Sequence, residues 1–131
     1  MKSIATRFLS FSLPVVFFLI LFSGCTKGDW KKSAEDPALM HATLKAITDR
    51  IVFDIFSPPV ASRIYAYATV ATYEAARHSD STLVTLSGQL NGLGELPQPE
   101  PGKEYQFNVA AIQAMYRIGK TLVFSEEDLD V

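Results

Sequence analysis

The order of apolar and polar residues along the chain predicts a first amphipathic helix that begins after residue 36. Its apolar positions recur at intervals of three and four residues and would form one face: Met40, Leu44, Ile47, Ile51 and Ile55. Asp36 and Pro37 suit the N-cap and the first position of this helix. Arg50 and Asp54 lie four residues apart, so we expect them to pair on the outer face.

A second helix is predicted from residue 60 to residue 78, because Ser57, Pro58 and Pro59 end the first helix and favour the start of another. It is rich in alanine, at positions 61, 66, 68, 71, 75 and 76. Small side chains at helical spacing let neighbouring backbones approach closely. We therefore expect this helix to be the central one of a bundle, with Ala68 and Ala71 against close neighbours.

A connector of residues 79–102 follows, and its apolar residues indicate that it lies across the helices. A third helix is predicted over residues 103–123. The residues expected to point inward from it are Phe107, Ala111, Ala114, Ile118 and Leu122.

Residues 125–128 have the form of a capping box, which predicts a further helix. Since the chain ends at residue 131, we interpret it as part of a longer protein.

Residues 1–24 are typical of a cleaved signal peptide. Lys2 and Arg7 precede an apolar run over residues 8–22, which suits a signal-peptide core of roughly 7–15 residues better than a membrane span of about 20. The small residues before Cys25 resemble the lipobox of bacterial lipoprotein signals, in which the cysteine is lipidated. We therefore expect Cys25 to anchor the protein to a membrane and residues 25–35 to form a polar tether.

The residue after the cysteine bears on the location of the protein. Thr26 stands where lipoproteins retained in the inner membrane typically carry Asp, so the resemblance implies the cell envelope, and the outer membrane rather than the inner. A plain secretory peptide and an uncleaved anchor are the alternatives to lipidation. Lys31 and Lys32 could contact anionic headgroups or simply belong to a solvated linker.

Composition excludes several classes of function. With a net charge of −2 and no basic cluster, the chain is not expected to bind nucleic acid. A single cysteine excludes an internal disulfide and a thiolate zinc site. We identify no catalytic, cofactor-binding or metal-binding residue. Arg63, Tyr67 and Glu74 share one helical face, either as a polar network beside a pocket or as a solvated charge stripe.

Several short strings occur in an order that is similar to a known family. They are SPPVASRIYAY (57–67), GQLNG (88–92), PQPE (97–100), GKEY (102–105) and FSE (124–126). Through them, residues 36–130 resemble the N-terminal region of bacterial vanadium-dependent haloperoxidases, within the type 2 phosphatidic acid phosphatase superfamily. The resemblance implies an all-α fold, in which about three helices of residues 36–131 pack as the N-terminal part of a larger helical bundle.

In this family the chemistry belongs to a later bundle, where a Lys, two Arg, a Ser-Gly-His and a further His hold and act on vanadate or phosphate. None of these groups can be placed in this chain. It has no Arg-Pro, Ser87 and Gly88 are followed by Gln89 instead of His, and neither histidine follows the family's Arg context. The resemblance thus assigns vanadate to the full-length relative, and the present chain is predicted to be inactive alone. The matching region does not distinguish a haloperoxidase from a phosphatase or an inactive member.

We therefore interpret the chain as the non-catalytic, N-terminal helical part of an exported haloperoxidase-like or acid-phosphatase-like lipoprotein. Its expected partners are the membrane, through lipid on Cys25, and a C-terminal catalytic bundle. The alternative is a self-contained short helical lipoprotein that acts as a binding or interaction module at the membrane surface. A truncated product without function is a third interpretation.

Overall fold

The computed structural model describes residues 30–129, and the regular structure in this part is entirely helical. The helices are α1 (Trp30–Ala34), α2 (Pro37–Phe53), α3 (Pro58–Ala76) and α4 (Phe107–Leu122), with 3₁₀ turns at Arg77–Ser79 and Glu126–Asp128. The predicted all-α fold is confirmed. Within the predicted tether of residues 25–35, residues 30–34 are helical. The predicted signal peptide and Cys25 lie outside the described residues.

Helix α2 begins as the sequence predicts. Asp36 is its N-cap, and its Oδ1 accepts a hydrogen bond of 2.8 Å from the amide of Ala38, with Pro37 at the start of the helix. The buried face contains Ile47 and Ile51, but it runs through Thr43 instead of the predicted Leu44, which is exposed. Thr43 tolerates burial because its hydroxyl donates to the carbonyl of Leu39 at 2.9 Å.

The prediction that Ile55 faces the core is wrong. The chain leaves α2 through a Schellman motif, in which the amide of Phe56 donates to Ile51 and the amide of Ile55 donates to Val52. This motif puts Ile55 in the left-handed region, at φ 57°, and leaves it 88% exposed. Phe56 packs against the core in its place.

Helix α4, and not α3, occupies the central position. It packs along most of α3 and also against α2, whereas α2 and α3 meet less extensively. The sequence prediction was based on the alanines of α3. It did not consider Gly119 of α4, which is buried against Ile47. Ala68 of α3 does lie in the core at 1% exposure, but Ala71 is only partly buried.

Helix α4 is shorter than predicted, because residues 103–106 stay outside it. Its fully buried residues are Ala111, Met115 and Gly119. Ala114 and Ile118, which were expected to point inward, are only partly buried, so the core-facing stripe is rotated by one position. Met115, whose place in the core or at its rim the sequence left open, is a core residue.

The segment after α4 returns to the end of α2. The predicted capping box forms a single 3₁₀ turn, and Ser125 makes no capping hydrogen bond. Asp54 Oδ2 instead accepts from the amides of Phe124 at 2.7 Å and Ser125 at 3.2 Å. The predicted ion pair of Arg50 with Asp54 is therefore wrong, and Arg50 Nη1 lies 3.3 Å from Asp128 Oδ2.

None of the helices within residues 30–129 is long and apolar enough to cross a membrane.

Candidate functional site

A cleft of about 610 Å³ lies between α3, α4 and the connector that joins them. Most of its lining is aliphatic or aromatic, with contributions from Val70 and Ala71 of α3, Leu93 and Leu96 of the connector, and Ile118 of α4. The prediction that the connector lies across the helices is confirmed by this arrangement. The cleft is thus a concave and mostly apolar feature of the described chain.

Glu74 fastens the connector to α3. Its side chain is 7% exposed, and it accepts hydrogen bonds from Arg77 Nε at 2.7 Å and from the amide of Leu86 at 2.5 Å. The hydroxyl of Thr85 adds a bond of 3.0 Å to Glu74 Oε2. A buried carboxylate needs such partners, because an unpaired buried charge is strongly destabilising. Glu74 therefore holds the wall of the cleft in place.

Of the three polar residues that the sequence grouped on one face, two border the cleft and one does not. Tyr67 and Glu74 line it, while Arg63 is exposed and takes no part. The charged partner of Glu74 is Arg77, three residues further along. That spacing on one helix could have indicated the pair from the sequence. Thr85 could not have been found this way, because only the fold of the connector brings it near Glu74.

Further hydrogen bonds hold the connector, one from α3 and one within the connector itself. The hydroxyl of Tyr73 donates to the carbonyl of Val84 at 2.7 Å, and the hydroxyl of Ser87 donates to the carbonyl of Gly94 at 2.7 Å. Gly88 has φ 75° in this turn, a conformation that favours glycine. These bonds keep a segment without regular structure in a defined position over the helices.

The titratable groups beside the cleft are held in definite charge states. Burial works to raise the pKa of Glu74, but the hydrogen bonds from Leu86, Arg77 and Thr85 outweigh it and leave that pKa below its usual value. Burial lowers the pKa of His78, and the charge of Arg77 lowers it further, although Glu74 opposes this. At neutral pH, Glu74 is therefore ionised and paired, and His78 is neutral.

The cleft does not fit vanadate. An oxyanion needs cationic side chains and converging hydrogen-bond donors around it. Here the charged group on the lining is the carboxylate of Glu74, and Arg77 is engaged by that carboxylate. His41 is exposed on α2, far along the chain from the cleft residues. Within residues 30–129, no three His, Cys, Asp or Glu side chains come together as metal ligands would.

No protein-family model matches the chain, and no curated protein sequence matches it either. Among solved structures, it is similar to a bacterial vanadium-dependent iodoperoxidase, with 41% sequence identity and a TM-score of 0.67. The match covers 71% of this chain and 23% of the iodoperoxidase chain. The predicted haloperoxidase resemblance is confirmed by these values. The chain is thus a haloperoxidase-like helical protein, related over most of its length to one part of a vanadium-dependent iodoperoxidase.

Proposed function

We propose that this chain forms the non-catalytic, N-terminal helical part of an exported haloperoxidase-like lipoprotein. The observation that carries the proposal is the similarity to 23% of an iodoperoxidase chain at 41% identity. A region of that extent accounts for a minor part of the related enzyme. The poor fit of vanadate to the cleft supports placing the chemistry outside these helices.

An exposed apolar surface supports a packing role for the helices. Four side chains at the corner between α2 and α3 form what we call the corner patch: Val52, Phe53, Ile55 and Phe124, which are 71%, 65%, 88% and 80% exposed. The ring of Phe124 also packs against that of Phe56 in a tilted arrangement, with ring centroids 4.8 Å apart. Large clusters of exposed apolar side chains mark interaction surfaces in soluble proteins. We infer that further helices of a haloperoxidase-like enzyme cover the corner patch.

The backbone of Ile55 strengthens this inference. A β-branched residue in the left-handed region costs about 1–2 kcal/mol relative to a right-handed conformation. Glycine would form the same turn without that cost. Ile55 gains no burial within residues 30–129, which supports contacts of its side chain outside them. A covering helix bundle would supply those contacts.

A chimeric enzyme tests the proposal. The matching segment of the iodoperoxidase is replaced by residues 36–129 of this chain, and iodide oxidation is measured with vanadate and peroxide. We expect the chimera to retain activity and this chain alone to show none. A second chimera carrying Ile55→Ser and Phe124→Ser should lose stability, whereas a chimera with Leu90→Ser, an exposed connector residue, should not. An unfolded or inactive chimera, or turnover by this chain alone, contradicts the proposal.

The second candidate function is that of a self-contained binding module at the membrane surface. The observation that favours this candidate is the mostly apolar cleft, since ligand pockets are typically concave and apolar. The two functions differ in stability: a self-contained module should unfold sharply by itself, whereas helices that need a bundle should unfold over a broad range and bind an apolar dye. Thermal unfolding of residues 26–131, followed by circular dichroism, separates them.

A further inference from the structure

We propose that the cleft between α3, α4 and the connector binds a neutral aromatic small molecule. This inference is independent of the packing role, because no residue of the corner patch lines the cleft.

The size and construction of the cleft fit a small ligand. Its volume of about 610 Å³ falls within the range of roughly 300–1,000 Å³ that is usual for ligand pockets. Two helices and the connector supply its walls, and the connector is fixed to α3 by Glu74 and Tyr73. The cleft is therefore a concavity formed by two helices and the connector.

One wall of the cleft is aromatic. The rings of Tyr105 and Phe107 stack, with centroids 5.8 Å apart and an interplanar angle of 17°. The ring centroid of His78 lies 5.7 Å from that of Phe107. All three rings line the cleft. Planar apolar molecules gain both buried area and ring contacts on such a wall. Aliphatic lining residues such as Leu96 and Ile118 complete an apolar environment.

The electrostatics of the lining select a neutral ligand. Arg77, Thr85 and the Leu86 amide already satisfy Glu74, so this carboxylate has little capacity left to bind a cation. The lining offers no free cation to balance an anion, and burial keeps His78 neutral. A charged ligand would lose its hydration without finding a partner. Tyr67, at the rim and 57% exposed, offers a hydroxyl for one hydrogen bond.

Photolabelling tests the proposal on the full chain in lipid nanodiscs. Benzophenone serves as a neutral aromatic photoreactive probe, and 4-benzoylbenzoate serves as its anionic counterpart. We expect benzophenone to label peptides from residues 67–78, 93–107 and 110–122, and excess naphthalene to suppress that labelling. The anion should label the same peptides several-fold less.

Two variants fill the cleft and one matched variant does not. Ala71→Phe and Ala110→Phe both place a ring in the cleft, and Ala110 is exposed, so its variant should fold even if Ala71→Phe does not. Labelling should fall about tenfold in each folded variant, equivalent to about 1.4 kcal/mol of lost affinity. Ala66→Phe, at an exposed position of α3 away from the cleft, should label like the wild type.

Three outcomes would overturn the proposal. The first is labelling spread over the corner patch and the cleft alike. The second is labelling that Ala110→Phe leaves unchanged while circular dichroism shows it folded. The third is stronger labelling by the anion than by benzophenone, which would assign the cleft to a different class of ligand.

Discussion

Gly119 of α4 makes room for the side chain of Ile47 from α2. A Cβ atom at position 119 would lie 2.6 Å from Ile47 Cγ1, closer than carbon atoms can pack. Ile47 itself is fully buried, so it has little freedom to move away. This close approach is what allows α2 to sit against the central helix.

Gly119→Ala should therefore destabilise the protein, although alanine is the better helix former by about 1 kcal/mol. Over-packing typically costs 1–3 kcal/mol, so we expect a net loss of about 1 kcal/mol in the free energy of unfolding. Denaturant unfolding followed by circular dichroism measures it. Adding Ile47→Val, which removes the terminal methyl, should recover part of the loss. A raised midpoint for Gly119→Ala would contradict the close approach of the two helices.

Two alanines of α3 should respond differently to enlargement. Ala68 is 1% exposed, so Ala68→Leu should lower the free energy of unfolding by about 1–3 kcal/mol. Ala71 lines the cleft, so Ala71→Leu has space to enter and should cost clearly less. Ala66→Leu, at an exposed position, is the control and should change stability by no more than about 0.5 kcal/mol. Equal losses at positions 68 and 71 would mean that the cleft is closed in solution.

Stability should fall in acid partly through Glu74. Because the pKa of Glu74 is lowered in the folded protein, its contribution is complete above the ordinary value of 4.5 and is lost as the pH falls through the lowered pKa. Glu74→Gln should flatten the pH dependence below pH 4.5, since the variant has no proton to gain there. The measurement is the unfolding midpoint between pH 7 and pH 3, with Glu95→Gln, exposed in the connector, as the matched control. If the unfolding midpoints of both variants fell equally steeply with decreasing pH, Glu74 would not contribute to the loss of stability in acid.

His78 should affect stability in a higher pH range than Glu74, and it too should lower the stability as the pH falls. Its pKa is lowered from 6.5, so the folded protein binds this proton less readily than the unfolded chain. Stability should therefore decrease as the pH falls from about 6.5 to the lowered pKa. His78→Gln should remove this part of the slope, while His41→Gln, exposed on α2, should not.

Lipidation of Cys25 remains a prediction, and metabolic labelling checks it. A palmitate analogue should mark the wild type and leave Cys25→Ser unmarked, because the thiol is the acceptor of the lipid. Fractionation of the labelled cells should then place the protein with the outer membrane. Equal labelling of the two proteins would reject the lipoprotein interpretation and favour a plain secretory signal.

Local signals in the sequence predicted the start of α2 correctly, whereas α4 begins at residue 107 and not at residue 103 as predicted. Asp36 and Pro37 act within a few residues, and the structure has them in the predicted roles. The buried face of α2 keeps the predicted Ile47 and Ile51 but contains Thr43 instead of Leu44. That of α4 contains Met115 and Gly119 where Ala114 and Ile118 were predicted. Thr43 and Gly119 were missed because they carry little apolar signal of their own. Thr43 is buried through a hydrogen bond to its own helix and Gly119 through a contact with a distant one.

The cleft was only partly predictable for a similar reason. The sequence placed Tyr67 and Glu74 on one face and left their role open between a pocket and a solvated stripe. Deciding between these required the path of the connector, which depends on contacts such as that of Thr85 with Glu74. Hydrophobic periodicity contains no information on such contacts, because it describes each helix separately.

The bonds of Asp54 have a consequence for the order of assembly. Its carboxylate meets the amides of Phe124 and Ser125, which follow it by 70 and 71 residues. As the polypeptide emerges from the ribosome, α2 and α3 precede these two amides, so this carboxylate cannot bind them until α4 has also emerged. Closing a loop of that length carries an entropic cost that short-range contacts avoid. The bonds of Asp54 at the turn between α2 and α3 thus form late, although this residue lies in the first half of the chain.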